Sequence, residues 1–268
     1  MSETIGFIGL GALGAPVAAN LLAAGYRLRV YNRTAAKADG LASQGAERAE
    51  RATDVAAPGG IVVTLLWDDA SVEEIVASEG FLDRLGPGGV HISMSTISPE
   101  GSKTLAAMHA AHGVDFVEAP IFGRPEAAVA KMLWIPFAGP QAAKERVRPV
   151  LEAMGAKGVF DFGEQVGAAT TVKLVGNFLI SSAGRSLMEG LTMAGMNGAD
   201  PMAVVEMLTT TLFPAPIYQT YGRAIAAKMV PTVRSPIPAK DLGLFIRTAE
   251  EVGAPSPVAK LMRELLGG

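Results

Sequence analysis

The sequence predicts an α/β domain built on a doubly wound parallel sheet, then an all-helical half, the two joined by one long helix. Three observations carry this. A short apolar run, Thr4–Ile8, passes through Gly9-Leu10-Gly11-Ala12-Leu13-Gly14 straight into a helical pattern. Apolar runs of strand length then alternate with helix-length segments as far as about Asp161. From Gly163 to Asn197 there is no proline, and between Val166 and Ala199 the only charged residues are Lys173, Arg185 and Glu189. The expected domains are residues 1–162 and 163–268.

The opening strand, glycine turn and helix form the dinucleotide-binding pattern of a Rossmann domain. Its glycines have separate jobs: Gly9 makes a tight turn, Gly11 lets a pyrophosphate approach the backbone, and Gly14 packs helix against strand. With Leu10, Ala12 and Leu13 they present free N–H groups and the positive end of a helix dipole to the phosphates. A second strand, Arg27–Tyr31, ends in Asn32-Arg33-Thr34, about 20 residues beyond the glycines, where a domain selecting NAD carries Asp or Glu. Arg33 instead offers a planar cation to a ribose 2′-phosphate, with Asn32 and Thr34 as hydrogen-bond partners. NADP(H) is therefore expected over NAD(H). Thr34 also stands where it would cap the next helical pattern, Ala35–Gly45, and the two roles are compatible.

The alternation continues with a buried strand, Ile61–Leu66, whose last residues Leu65 and Leu66 are expected at the cofactor. A short helix, Ser71–Ala77, leads to the strand Gly89–Met94. Ser95 and Thr96 follow at its C-terminal end, the edge where open sheets bind ligands. Ser98-Pro99 starts a helix that runs to His112, proline being at home in a first turn. The strand Val114–Glu118 enters the loop Ala119-Pro120-Ile121-Phe122-Gly123-Arg124-Pro125. Strands at Lys131–Ala138 and Gly158–Phe162 flank a helix from Gln141 to Met154.

The stretch Gly163–Asn197 reads as a helix on the order of 45 Å long. Being apolar on most of its circumference, it is expected to be buried on most sides, partly against a second subunit in a homodimer. Thr170, Thr171, Lys173, Asn177, Ser181 and Ser182 interrupt the apolar run, so it is not a membrane span. Lys173 and Asn177 lie one turn apart on one face, with Gly176 leaving room beside them. Lys173 either runs its stem along apolar surface to reach water or is a general acid/base with a pKa lowered by burial. Beyond Asn197-Gly198, Asp200-Pro201 starts a further helix, and patterns at Tyr218–Met229 and Leu242–Val252 follow, the latter preceded by Ala239-Lys240-Asp241. The last segment is a helix stopped by Gly267-Gly268. Met188, Met193, Met196, Met202 and Met207 are expected to fill core or interface.

The 268 residues are 49% hydrophobic with net charge −3 and no cysteine, which excludes disulfides, thiolate metal sites and a thiol nucleophile. A near-neutral balance gives no electrostatic footprint for nucleic acid or anionic lipid. No metal is expected: His109 and His112 share a helix face, but the nearest acid, Asp115, belongs to the next strand, and His91 lies apart. The N-terminus enters a strand with no signal pattern, so a cytoplasmic location is expected.

Four stretches in order, IGFIGLGALGAPVAANLLAAG, SMSTISP, the VKLVGN around Lys173 and Asn177, and KDL at Lys240–Leu242, resemble the β-hydroxyacid dehydrogenase family. That family includes 3-hydroxyisobutyrate dehydrogenases, tartronate semialdehyde reductases and glyoxylate/succinic semialdehyde reductases. The resemblance covers nearly the whole chain. It implies hydride transfer between a nicotinamide and a small carbonyl or hydroxy compound, with Lys173 as proton donor and Asn177 holding substrate. It also implies Lys240 near the cofactor and Thr96 near the nicotinamide ring. Ser95, Phe122, Gly123 and Arg124 are expected to shape the substrate end.

One stretch departs from the family. Its loop usually reads D-A-P-V-S-G-G; here it is Glu118-Ala119-Pro120-Ile121-Phe122-Gly123-Arg124, so Phe122 replaces a serine hydroxyl and Arg124 either restores an anion site or faces solvent. The change suits a bulkier or less acidic substrate and raises the related NADPH-dependent imine reductases, which generally carry another residue where Lys173 stands. A cofactor-binding module without turnover and a structural oligomer are the other readings. The chain ends soon after Leu266, so a C-terminal helix that closes the cleft in the family is expected to be absent.

Overall fold

Strands buried on both faces need apolar side chains pointing both ways, and the Ile-, Val- and Phe-rich runs meet that need. The computed structural model describes residues 3–228 and 236–266. Six strands, β1 (Thr4–Ile8), β2 (Arg27–Tyr31), β3 (Glu47–Arg48), β4 (Ile61–Thr64), β5 (Val90–Ser93) and β6 (Asp115–Glu118), pair in parallel in the order β3-β2-β1-β4-β5-β6. Ile5 and Phe7 enter one core with Val30, Val63 and Ile92, under Val17 and Leu21 of the helix Gly14–Ala23. Ile8 joins the opposite core with Val62, Val72, Phe81, Leu105 and Phe116. The strand order turns back between β1 and β4, and ligands of such sheets bind beyond the carboxyl ends at that point.

β7 (Leu133–Phe137) and β8 (Ala156–Asp161) form a separate parallel pair around the helix Gln141–Ala153. Antiparallel bridges Glu118–Ala138 and Phe122–Trp134 tie β7 to the chain leaving β6. The single helix expected over 35–45 is instead a 3-10 turn, Ala35–Ala38, and a short α-helix, Asp39–Ala42. Thr34 holds the N-cap position but makes no side-chain cap, and Gly40 weakens the helical turn around it. The helices Phe81–Leu85 and Pro125–Val129 and the two-residue β3 were not anticipated, being too short to show a period.

The histidines serve the core. His109 Nδ1 lies 2.6 Å from the Leu105 carbonyl, which only accepts, so that nitrogen carries the proton. Its Nε2 then accepts from His91 Nδ1 at 2.8 Å, and His91 Nε2 accepts from the Thr64 hydroxyl at 2.9 Å. Burial holds His91 well below the usual imidazole range, with the neighbouring His109 adding to it. Burial likewise lowers His109 to about 4, against the raising effect of the Leu105 carbonyl. His112 stands beyond the helix end with its Nδ1 2.9 Å from Asp83, so it shares no metal-binding face with His109.

By contact the chain divides into two compact units, Met1–Lys173 and Leu174–Gly268. The long helix, Ala168–Met196, passes through the division. It starts later than expected because Gly163 and Gly167 take φ of 87° and 100°. The second unit adds helices Pro201–Thr210, Pro216–Ala226, Pro236–Glu251 and Pro257–Leu265. Asp200 caps the first of these by accepting from the Met202 and Ala203 N–H groups. Pro236 and Pro238 fit a first turn, so that helix begins before Leu242 and carries Lys240 and Asp241. Met229, Gly267 and Gly268 lie outside the described residues.

Leu242, Ile246, Ala259 and Met262 form the core of this unit, with Phe178 and Phe245 stacked at 4.7 Å. The methionines do not fill it: Met188, Met193, Met196, Met202 and Met207 are all exposed, Met196 to 85%. Nor is the long helix buried on most sides within the chain, since Val175 and Leu179 also face solvent. Among the described residues no helix is long and apolar enough to cross a membrane.

Candidate active site

The glycine turn leaves β1 at the switch point. Gly9 has φ 101°, and a Cβ there would meet the Leu65 carbonyl oxygen at 2.2 Å, so the turn lies directly on the end of β4. A Cβ on Gly14 would meet the Gly9 oxygen at 2.0 Å, so this glycine is required to start the helix against its own turn. Gly11 differs: nothing lies within 4 Å of where its Cβ would be. The fold does not need that glycine, and the open cradle fits a diphosphate lying on the backbone. Leu13 holds the N-cap position of the ten-residue helix Gly14–Ala23 with no side-chain cap, so no protein side chain competes there for the first N–H groups.

Asn32 braces this turn from the end of β2. Its Oδ1 accepts from the Leu10 N–H at 2.9 Å and its Nδ2 donates to the Thr34 carbonyl at 3.0 Å. The side chain expected to meet a phosphate is thus engaged with backbone. Arg33 and Thr34 are exposed, and Arg33 has no ion pair among the described residues. At the end of β5, Ser95 is buried and its hydroxyl oxygen accepts from the Leu66 N–H at 2.8 Å, clasping β4 to β5. Its proton is left to donate, and Thr96 beside it is partly buried. Gly9, Leu65, Leu66 and Ser95 therefore form one contiguous rim.

The next sector is built by the loop after β6 lying along the first turns of the long helix. Glu118 is buried, and one carboxylate oxygen accepts from the N–H groups of Gly167 and Ala169 at 2.9 and 2.7 Å. Its other oxygen accepts from the Thr170 hydroxyl at 2.5 Å. A carboxylate placed there satisfies otherwise orphaned donors and complements the helix dipole. Three residues on, the Ile121 carbonyl accepts from the Lys173 ammonium at 2.5 Å. That nitrogen also sits 4.3 Å from the centroid of the Phe122 ring. Lys173 is 8% exposed, so it does not run out to water. Arg124 turns away, exposed and 3.8 Å from Glu126. Glu118 and Ile121 were missed as contributors; the only signal was the position of Glu118 at the head of the loop, and a backbone carbonyl leaves no trace in residue type.

In the second unit Asn177 donates from Nδ2 to Asp241 Oδ2 at 2.6 Å, and Lys240 Nζ lies 3.1 Å from Asp241 Oδ1. A carboxylate only accepts, so the amide must present its nitrogen, leaving Asn177 Oδ1 to accept from another group. Asp241 is the residue that joins Asn177 and Lys240, and its place within the KDL run was its signal.

Comparison with known proteins agrees in both halves. The profile for the NAD binding domain of 6-phosphogluconate dehydrogenase matches residues 4–167. The profile for the NAD-binding region of NADP-dependent 3-hydroxyisobutyrate dehydrogenase matches residues 167–267. The chain is 40% identical to the oxidoreductase YfjR of Bacillus subtilis, over 97% of its own length and 91% of that protein. It is 31% identical to 3-hydroxyisobutyrate dehydrogenase of Pseudomonas aeruginosa, over 97% and 90%. Among solved structures, 3-hydroxyisobutyrate dehydrogenase of Mycobacterium tuberculosis with L-serine superposes with a TM-score of 0.89 at 25% identity, covering 100% of this chain and 93% of that one.

Proposed function

Because the chain belongs to the β-hydroxyacid dehydrogenase family of NAD(P)-dependent oxidoreductases, we propose that it interconverts a small carbonyl compound and its alcohol, a semialdehyde or keto acid and the matching hydroxy acid, with NADP(H). The observation that carries the reading is the buried Lys173, its ammonium bound to the Ile121 carbonyl at the loop expected to meet substrate. When bound, the nicotinamide supplies or takes the hydride. In reduction Lys173 gives a proton from Nζ to the oxygen of the carbonyl as it becomes an alcohol, and in oxidation takes it back. Asn177, held by Asp241, keeps its amide oxygen to orient the substrate hydroxyl. Ser95, Thr96, Phe122 and Gly123 line the substrate end, while the exposure of Arg124 removes it from the first contacts. Lys240 serves the cofactor side, as the family resemblance implies.

The cofactor preference rests on Arg33, exposed at the end of β2 where a carboxylate would reject a 2′-phosphate. In this reading residues 1–162 carry the cofactor, residues 163–268 complete the substrate site and pair two subunits, and the enzyme works in the cytoplasm. Support for pairing is the exposed methionine face beside an apolar groove of about 420 Å³ lined by Leu187, Leu191, Val205, Leu208, Phe213 and Tyr218.

The test is oxidation of NADPH and of NADH by purified protein against glyoxylate, succinic semialdehyde, a hydrophobic aldehyde and a cyclic imine, each repeated with Lys173→Ala. Carbonyl turnover with NADPH that falls by orders of magnitude in the variant is the expected result. Undiminished turnover in Lys173→Ala sinks the proton-donor role, and equal use of NADH sinks the preference. Turnover of the imine alone would move the chain to the imine reductases, and cofactor binding without any turnover would favour a binding module.

A further inference from the structure

Resting on the reading of the rim Gly9, Leu65, Leu66 and Ser95 as the cofactor's, we propose that Asp69 is a positioning residue. Through Ser98 it locks the loop after β5 to the loop after β4, so that the two meet NADP(H) as one preformed wall. Asp69 is not needed to start its own helix, Asp69–Val76. Asp68 supplies that cap, its Oδ1 accepting from the N–H and the hydroxyl of Ser71 at 2.9 and 2.6 Å. Asp69 instead reaches a residue 29 positions away. Its Oδ1 accepts from the Ser98 N–H at 3.0 Å and from the Ser98 hydroxyl at 2.5 Å. The same hydroxyl oxygen accepts from the Gly101 N–H at 2.8 Å. Carboxylate, serine and the first turn of the helix Pro99–Ala110 thus form one chain of hydrogen bonds.

This tie adds to the one already described. The loops are joined where Ser95 Oγ accepts from the Leu66 N–H and again where Asp69 accepts from Ser98, and Thr96 and Ile97 lie between these ties in sequence. Ile97 of one loop and Val72 in the helix that follows the other are buried in the same core. Gly101 shows how closely the carboxylate is seated, because a Cβ there would lie 2.2 Å from Asp69 Oδ1. Loops that folding has already ordered add little ordering cost when a ligand binds. Opening the tie is therefore felt in cofactor affinity before it is felt in the chemical step.

The experiment titrates NADPH by fluorescence into the full chain and into Asp69→Ala, Asp69→Asn, Gly101→Ala and the Asp69→Ala/Gly101→Ala double variant. KM for NADPH and kcat are followed in parallel. Asp69→Ala removes the acceptor and should weaken NADPH binding about tenfold, raising KM more than it lowers kcat. Asp69→Asn keeps an oxygen at Oδ1 and should recover most of the affinity. Gly101→Ala displaces the carboxylate and should show a similar loss, although alanine is the better helix former. The double variant should bind no more weakly than Asp69→Ala, since both changes open one tie. Parent-like binding in Asp69→Ala overturns the role. Binding in Asp69→Asn as weak as in Asp69→Ala also overturns it, by making the effect one of charge, and so do losses that add in the double variant. A parent protein that binds no NADPH removes the cofactor reading and this role together.

Discussion

Gly11 and Gly14 share one motif yet answer to different masters, and a single methyl group separates them. At Gly14 the methyl collides with the turn's own backbone oxygen; at Gly11 it meets nothing. Gly14→Ala is therefore expected to destabilise by about 1–3 kcal/mol, read as a lowered denaturation midpoint. Gly11→Ala should keep that midpoint and weaken NADPH binding tenfold or more, measured by fluorescence titration. A Gly11→Ala protein that binds NADPH like the parent would show that no ligand uses the cradle. Residue type alone allowed the motif to be read as a site but not the division of labour within it. Asn32 shows the same limit, because an asparagine reads equally well as a phosphate partner and as the brace it forms for Leu10.

The elements that were legible are those with a period long enough to see. Strands of four or five apolar residues, the helix capped by Ser98 and the helix capped by Asp200 all stand where composition and capping residues put them. The loop after β6 was legible only as a departure from a family pattern. Its work on the long helix depends on Glu118 meeting N–H groups some fifty positions later, and no local pattern encodes that meeting. The role of His91 and His109 was hidden for the same reason. As sequence they only failed to make a metal site, whereas β4, β5 and the helix Pro99–Ala110 assemble His91 and His109 into a neutral chain ending on Thr64.

That chain has a consequence for pH. Both imidazoles have native pKa values below the unfolded value of about 6.5, so below that pH the unfolded chain binds more protons than the native one. Their contribution is complete above about pH 6.5 and is lost as pH falls toward 4, on the order of 3 kcal/mol for His109 alone. Urea unfolding between pH 4.5 and 7.5 should show this slope. A His91→Leu/His109→Phe double variant should flatten it. Identical slopes in the two proteins would assign acid sensitivity to the carboxylates instead.

For the molecule as a whole, the apolar surface left on the second unit is the feature that sequence reading left undivided between core and interface. Side chains such as Met193, Met196 and Leu212 have the composition of a core, and only the assembled chain reveals that they face outward. If this face pairs subunits, sedimentation equilibrium gives twice the chain mass, and Met193→Asp shifts the protein toward monomer. A parent protein that sediments as a monomer at micromolar concentration would remove the pairing.

The long helix also sets an order of events during synthesis. Ile121 and Phe122, which Lys173 meets in the first unit, precede it in the chain. Asn177 instead waits for Asp241, 64 residues later. At about 5–20 residues per second the ribosome takes roughly 3–13 s to cross that gap. The nascent chain thus exposes a helix whose lysine can already reach Ile121 and Phe122 while its asparagine has not yet met Asp241, and through that interval the protein is a nucleotide-binding domain awaiting its other half.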